Sequence, residues 1–462
     1  MIKGKTINRP LPKEADYVRT VKEIVDAVNS IAPDAPYFDW FAGHPEAKAA
    51  VHFRNGEYAP ELSADQALHG GEVSGAEAEN IRVHACDGKT GGVFLEGPGR
   101  CEVNGAAIMV SGDSTGIGGP ATGAAVKGGG ELILRDAFID AFGLTHYATV
   151  AERNSVLRVY DSVIASHGAP FGEGQPQPTG IMQTPPPGLM IDGNGRTHCT
   201  MTGSHSYFDR CLITCDGWGA LSTETAEGYA YLEANDCNVI TVRRGYGAYA
   251  DPGCHVVLNN CSIDSADMAG IIGGQGEMIL CDCETVCGSM GLLFHSVAGV
   301  PEEIGELEVS GGSLFSKGPT ALIRSDNARL YFEDAELHSD EGVLIRSQVN
   351  DDPLATPAGE NPVGIEVCFS AMDAEGDILH EDTERPMFVY FHGTTLTGVI
   401  KGAHIEFDLG SKWFATSDSE VILMGEAHEF QFDAPENVTI LLHCAGSGSV
   451  KLPSGGTLEM VD

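Results

Sequence analysis

The stretch YLEANDCNVITVRRGYGAYADPGCHVVLNNCSIDSADMAGIIGG (231–274) says one phrase twice: alternating apolar residues, an Asp or Asn, a cysteine, another apolar residue, then a Gly-containing turn. Outward from Cys237 and Cys261 the phrase recurs from about residue 130 to 347, with its small residue at Ala137, Ser162, Cys211, Cys237, Cys261, Cys283, Gly312 and Ala335. The intervals run from 22 to 29 residues, apart from one of 49 between Ser162 and Cys211. Two positions on stand Ile139, Ile164, Ile213, Val239, Ile263, Thr285, Leu314 and Leu337, the period-two inner face of a strand. One position before the small residue stand Asp136, Asp161, Arg210, Asp236, Asn260, Asp282, Gly311 and Asp334. Asp and Asn side chains can bond their own turn backbone, so this column predicts stacked turns.

Each repeat carries another short strand, read in GALST (219–223), GAYAD (247–251), GIIGG (270–274), GLLFH (291–295), TALIR (320–324) and GVLIR (342–346). Short strands repeating every two dozen residues or so, with no helix between them, define a parallel β-helix. The handedness of parallel crossovers makes it right-handed. The expectation is an all-β chain, a single right-handed parallel β-helix (solenoid) with an N-terminal capping helix. Residues 1–80 hold that helix, at about 16–31 on the spacing of Val18, Val21, Ile24, Val25, Val28 and Ile31, together with the entry coils. Residues 81–347 form the core, interrupted by a long inserted loop at 168–198, whose Pro185, Pro186 and Pro187 suit an ordered lid. Residues 348–364 are a turn-rich loop and 365–462 the C-terminal β coils.

In that last part, LTGVIKGAHIEFDLGSKWFATSDSEVILMG (396–425) resembles the terminal coils of bacterial right-handed β-helix proteins, including passenger and adhesin-like ones. The features that match are the LTG opening, the alternating IEFDL, and SKW followed by TSDSEV. More broadly the chain resembles the pectate-lyase-like superfold. The resemblance implies coil shape; that fold hosts many chemistries, so no catalytic residue is carried over from its pectate lyases or hydrolases.

Composition bounds the partners. Among 462 residues, Lys+Arg number 27 and Asp+Glu 66, a net charge of −39. Such a field repels phosphate backbones and anionic membranes, which excludes nucleic acid, and it disfavours polyanionic substrates unless Ca²⁺ or an arginine cluster intervenes. A small or neutral substrate is the easier partner. MIKGKTINRPLPKEADYVRT (1–20) has no apolar core like that of a signal peptide, and no segment has the length of a transmembrane helix, so the expectation is a cytoplasmic protein that meets no membrane. Thirteen cysteines without a short secreted framework point to reduced thiols. Cys281, Cys283 and Cys287 lack zinc-knuckle spacing, and the cysteine column alternates with Ala, Ser and Gly, so it selects small size rather than metal.

The second strand suggests a site. With Ala220, Ala248, Ile271, Leu292, Ala321 and Val343 facing inward, alternation turns Leu221, Tyr249, Ile272, Leu293, Leu322 and Leu344 outward as an apolar strip. Such a strip forms a ligand floor or pairs two copies of the chain. Two residues further on, the same face reads Thr223, Asp251, Gly274, His295, Arg324 and Arg346, with Gly274 leaving a gap between Asp251 and His295. An apolar strip, a titratable cluster and a long loop at one place describe a small-molecule pocket. A charged rim that only keeps a solenoid soluble is the competing reading.

The expected chemistry is that of a cofactor-independent lyase, hydratase or isomerase moving a proton on a small cyclic or hydroxylated substrate. His295, Asp251 and Tyr249 are its candidate acid and base groups. Arg324 and Arg346 would stabilise developing anion, and Trp218, Glu224, Arg244, Tyr246 and Leu293 would bind substrate. The alternatives are a carbohydrate-active β-helix enzyme, a polysaccharide lyase or glycoside hydrolase, with Asp251 and Glu224 as paired carboxylates and Ca²⁺ only in that case, or a non-catalytic adhesin-like module.

Overall fold

The computed structural model describes residues 2–3, 48–112, 121–143, 147–167, 195–216, 218–225, 228–295, 299–350 and 355–462. The capping helix expected at 16–31 lies outside the described residues, as do His146, residues 351–354 and most of the loop expected at 168–198. Two compact units divide the chain: Thr20–Ile271, and Ile272–Asp462 together with Met1–Arg19. Each is a stack of coils whose strands pair in parallel with those of the next coil, an all-β parallel β-helix. Among the described residues no helix is long and apolar enough to cross a membrane.

In the unit 20–271 a typical coil has three strands, as in Tyr231–Asn235, Asn238–Thr241 and Tyr246–Ala250. The first two meet at a corner only two residues long, whose first residue is left-handed: φ is +49° at Asp136, +50° at Asp161, +54° at Arg210, +53° at Asp236 and +50° at Asn260. This is why the column favours Asp, Asn and Gly, the residues that enter that region at least cost. The polar side chains there do not fold back on their own turns as their identity suggested. They bond the neighbouring coil instead, Asn260 Nδ2 to Asp236 Oδ1 and Arg210 Nε to Asp161 Oδ1.

Beside that corner the small column turns inward. Cys211, Cys237 and Cys261 are buried, and their thiols donate to main-chain carbonyls, Cys237 to Asn235 at 3.2 Å and Cys261 to Asn259 at 3.3 Å. All thirteen cysteines are free thiols. Cys261→Ala should therefore cost about 1 kcal/mol, the order expected for a small buried group lost from a packed column. Urea denaturation should give a lower midpoint at unchanged slope. A loss of several kcal/mol, or stoichiometric zinc in the purified protein, would contradict a purely packing role.

The interior is not apolar throughout. His198 bonds Thr149 Oγ1 through Nδ1 at 2.9 Å and Thr200 Oγ1 through Nε2 at 2.7 Å, and it meets the Phe208 ring edge-on at 4.7 Å. Thr200 donates to Ser206, and burial pulls the His198 imidazole down to about 3, so the ring is neutral. Each polar group in this network has a partner, which offsets its desolvation.

In the unit 272–462, the coils stack Phe332, Phe369, Phe391 and Phe407 face to face at 5.4, 5.8 and 4.9 Å. The SKW and TSDSEV phrases tie coil to coil: Thr394 N–H donates to Ser411, Trp413 Nε1 to the Gly398 carbonyl, and Ile400 N–H to Ser419. These residues hold coil shape, as the resemblance implied.

Candidate functional site

The third sheet of the unit 20–271 runs through Tyr147–Glu152, Arg196–Met201, Gly219–Glu224 and Tyr246–Ala250. Its register pairs Tyr147 with Arg196, Arg196 with Gly219, and Gly219 with Tyr246. A second column runs Val150, Cys199, Ser222, Tyr249. In a third, Met201 pairs with Glu224, and the Ser222–Tyr249 pairing continued by two residues sets Asp251 beside Glu224.

This register corrects the sequence-based alignment. Leu221, not Ala220, pairs with Ala248, and His198 pairs with Leu221. Since His198 lies inside the coil against Phe208, Leu221 is a core residue, not part of an outer strip. The cause is turn length: three residues lie between Cys215 and Gly219 but four between Thr241 and Tyr246. The shared Gly-Ala of the two phrases therefore misaligns them. One residue of shift exchanges the faces, and it replaces Thr223 with Glu224 as the vertical neighbour of Asp251.

The outer face so formed holds a hydrogen-bonded cluster. Arg196 Nη2 pairs with Glu224 Oε1 at 2.5 Å, and Tyr147 donates to Glu224 Oε2 at 3.2 Å. Arg196 Nε donates to the Tyr246 hydroxyl at 3.3 Å, which also meets Ser222 Oγ at 2.9 Å. Tyr249 donates to Asp251 Oδ1 at 2.8 Å, and the Thr225 N–H to Asp251 Oδ2 at 2.8 Å. Phe94, Ala125, Tyr147, Val150, Cys199 and Met201 pack as one buried apolar group alongside.

Burial governs the protonation states. It pushes the Asp251 carboxyl up to about 7, against the Thr225 N–H and with the charge of Glu224 adding to the rise. It also pushes the Tyr246 phenol up to about 12, and those of Tyr147 and Tyr249 well above their ordinary range. Arg196 stays charged beside Glu224. Two carboxylates on adjacent rungs thus sit in different surroundings: one clamped by a guanidinium, the other poised near neutrality.

Gly219 makes room for this. A Cβ there would lie 2.2 Å from the Tyr246 ring, so only a bare position lets that ring lie along the strand and reach Arg196. Gly219→Ala should cost about 1–3 kcal/mol by overpacking. It should also displace the Tyr246 hydroxyl, which an altered Tyr absorbance titration would report; an unchanged titration and melting curve would refute the packing argument.

Of the residues singled out from sequence, Asp251, Tyr249, Glu224 and Tyr246 come together. Trp218 offers its main-chain carbonyl to the Tyr246 N–H, and Arg244 pairs with Asp267 at 3.4 Å. Sequence reading missed Arg196 and Ser222 and gave Tyr147 no role. Arg196 lies within 168–198, read as loop, yet it opens the strand Arg196–Met201.

His295, Leu293, Arg324 and Arg346 belong to the unit 272–462. His295 pairs in register with Arg324. A Cβ on Gly305 would touch Phe294 at 2.9 Å and Ile272 at 3.1 Å, so these two face inward and His295 stands on the outer face, 3% exposed. Ile272 is thus core, not strip. Arg346 pairs with Leu322, not Arg324: the register sets Ala321 beside Ile345, two residues off the alignment that the shared phrase suggests. Gly274 leaves no gap in a column: the strand ends at Ile272, and Gly274 sits in the following turn with φ +48°. Among the described residues no group of three His, Cys, Asp or Glu is arranged to hold a metal ion.

Compared with known proteins, the chain matches no family model and no curated protein. Among solved structures it is similar to the tailspike protein gp49 from Pseudomonas phage LKA1, at 13% identity and a TM-score of 0.38 over 76% of this chain. The chain spans about half of that tailspike, 54%. It is also similar to the periplasmic alginate epimerase AlgG, at 10% identity and a TM-score of 0.30, over 93% of this chain and 100% of that one.

Proposed function

We propose that the protein is a carbohydrate-active enzyme, a glycoside hydrolase acting on neutral or weakly charged glycans, with Asp251 as proton carrier and Glu224 as its paired carboxylate. The observation that carries this reading is the stacking of Asp251 with Tyr249 directly beside Glu224 with Arg196 on one outer face. Glycoside hydrolysis needs two such carboxyl groups, one protonated and one ionised at working pH. Among the described residues, the guanidinium of the cluster is that of Arg196, which is engaged with Glu224; together with a net charge of −39 this favours a neutral sugar over a polyuronate. This cluster brings its own acid and base, so the reading does not call on His295 as the lyase or isomerase reading does.

The test is turnover of aryl glycosides and of neutral and uronate polysaccharides, each with and without Ca²⁺. New reducing ends from neutral glycans without unsaturated ends support hydrolysis. Unsaturated ends from uronate polymers would replace hydrolysis with elimination. Glycan retention with no bond cleaved would make the protein a binding module and overturn the reading.

A further inference from the structure

Resting on that reading, the surroundings of Asp251 give a role to a residue that bonds its main chain rather than its carboxyl. The strand Gly219–Glu224 pairs with Tyr246–Ala250 as far as Ser222 and Tyr249. One step on, Thr223 comes opposite Ala250, and Asp251 lies just past the end of its strand. A regular parallel ladder holds a chain with a backbone N–H and C=O that reach one residue either side of the partner. Here a side chain spans those two groups. Thr223 Oγ1 donates to the Tyr249 carbonyl at 2.9 Å and accepts from the Asp251 N–H at 3.1 Å. We propose that Thr223 is the positioning residue of the acid: its hydroxyl fixes the main chain on both sides of Ala250, so that the Asp251 carboxyl stays on the Tyr249 hydroxyl and the Thr225 N–H.

Strand register alone does not dictate this contact. Thr200 pairs with Thr223 from the coil before, yet its hydroxyl bonds His198 and Ser206 inside the coil. Thr223 is wholly buried, and a β-branched side chain has few rotamers open to it, so its hydroxyl is held on these two partners. Thr225, on the far side of Glu224, completes the grip with its N–H on Asp251 Oδ2 and its hydroxyl on the Pro252 carbonyl at 3.3 Å. The charged and titratable groups that act on Asp251 are Tyr249 on its own strand and Glu224 and Arg196 on the two strands before it. The thiols of Cys199 and Cys254 feel its charge in turn, and Cys254 also meets the Thr223 hydroxyl. Burial is the largest cause of the raised Asp251 carboxyl. A looser chain at this point would admit water and lower that carboxyl toward its ordinary range.

The experiment compares the wild-type chain with Thr223→Val, which keeps the shape and loses the hydroxyl, and with Thr223→Ser, which keeps the hydroxyl. In Thr223→Val the alkaline limb of glycan turnover is expected to move down from near 7 by about 1–2 pH units. Turnover at pH 5 should change far less than turnover at pH 7, and Thr223→Ser should return the limb to near 7. A second readout needs no substrate: the urea midpoint of each protein against the same protein carrying Asp251→Asn, from pH 5 to pH 8. A carboxyl raised in the folded state loses its stabilising contribution as pH rises, so in wild type this gap should widen up to about 7. With Thr223→Val it should stop widening at lower pH. Were Thr223→Val unable to fold, Thr223→Ala would carry the same comparison. Glycan cleavage with limb and gap unmoved in the variant, or a Ser variant displaced as far as the Val variant, would overturn this inference and leave the hydrolase reading intact. Absence of cleavage with the gap displaced as expected would remove the hydrolase reading and leave Thr223 as the residue that holds Asp251.

Discussion

Asp251→Asn should lower glycan turnover by roughly 10²–10⁴, the usual worth of a positioned acid–base group, while the coils remain folded. Asn keeps the shape: its one carbonyl oxygen can accept from the Thr225 N–H while its Nδ2 donates to the Tyr249 hydroxyl, so packing is preserved and only proton transfer is lost. The pH profile makes the assignment specific. With the carboxyl pushed up to about 7, the acid form needed to protonate a leaving group is present below that pH and lost above it, so wild-type turnover should fall on the alkaline side near 7. The residual activity of the variant should lack that limb. Stability should move the opposite way. A carboxyl raised in the folded state contributes stability at pH values below the ordinary carboxylate range, and that contribution is lost as pH rises through about 7. Asn cannot titrate, so relative to wild type the variant should gain urea resistance between pH 5 and pH 8. A variant that keeps both the rate and the alkaline limb of wild type would remove Asp251 from the chemistry.

How much of this was legible in the sequence follows from what each part of the coil requires. The corner after the first strand must be left-handed, and few residues do that cheaply, so Asp136, Asp161, Asp236 and Asn260 announce it. The inward position beside it must be small, which Cys237 and Cys261 announce by alternating with Ala, Ser and Gly. Both constraints repeat in every coil, and repetition makes them visible. The third sheet follows turns of unequal length, so its register cannot be read from the phrase that precedes it. That single residue of slack put Leu221 on the wrong face and hid the pairing of Glu224 with Asp251. Arg196 was hidden for a different reason. Its strand, RTHCTM, buries Thr197, His198 and Thr200 inside the coil, where they satisfy one another, so it shows no apolar alternation. A strand whose inner face is a hydrogen-bonded network looks like a loop until its partners are known.

That strand also carries the residue on which the folded site depends most. Arg196 and Glu224 have side chains only 8% and 16% exposed, and Arg196 also lies 5.9 Å from the centre of the Tyr147 ring. Arg196→Met keeps the apolar stem and removes the charge, leaving Glu224 to face Asp251 with only the Tyr147 hydroxyl for support. Breaking one side of a buried pair costs about 3–5 kcal/mol, because the remaining charge is stranded. The double variant Arg196→Met/Glu224→Gln removes both charges and should recover much of that loss. Urea denaturation of wild type, both single variants and the double variant at pH 8 gives the coupling energy directly. The single Glu224→Gln variant should also be destabilised, since it strands the arginine. If Arg196→Met cost less than about 1 kcal/mol, as exposed pairs do, or if the double variant were no more stable than the single ones, Glu224 would not depend on Arg196 as its partner. The division of labour between Glu224 and Asp251 would then lose its physical basis, because among the described residues of the cluster it is Arg196 that offers Glu224 a positive charge.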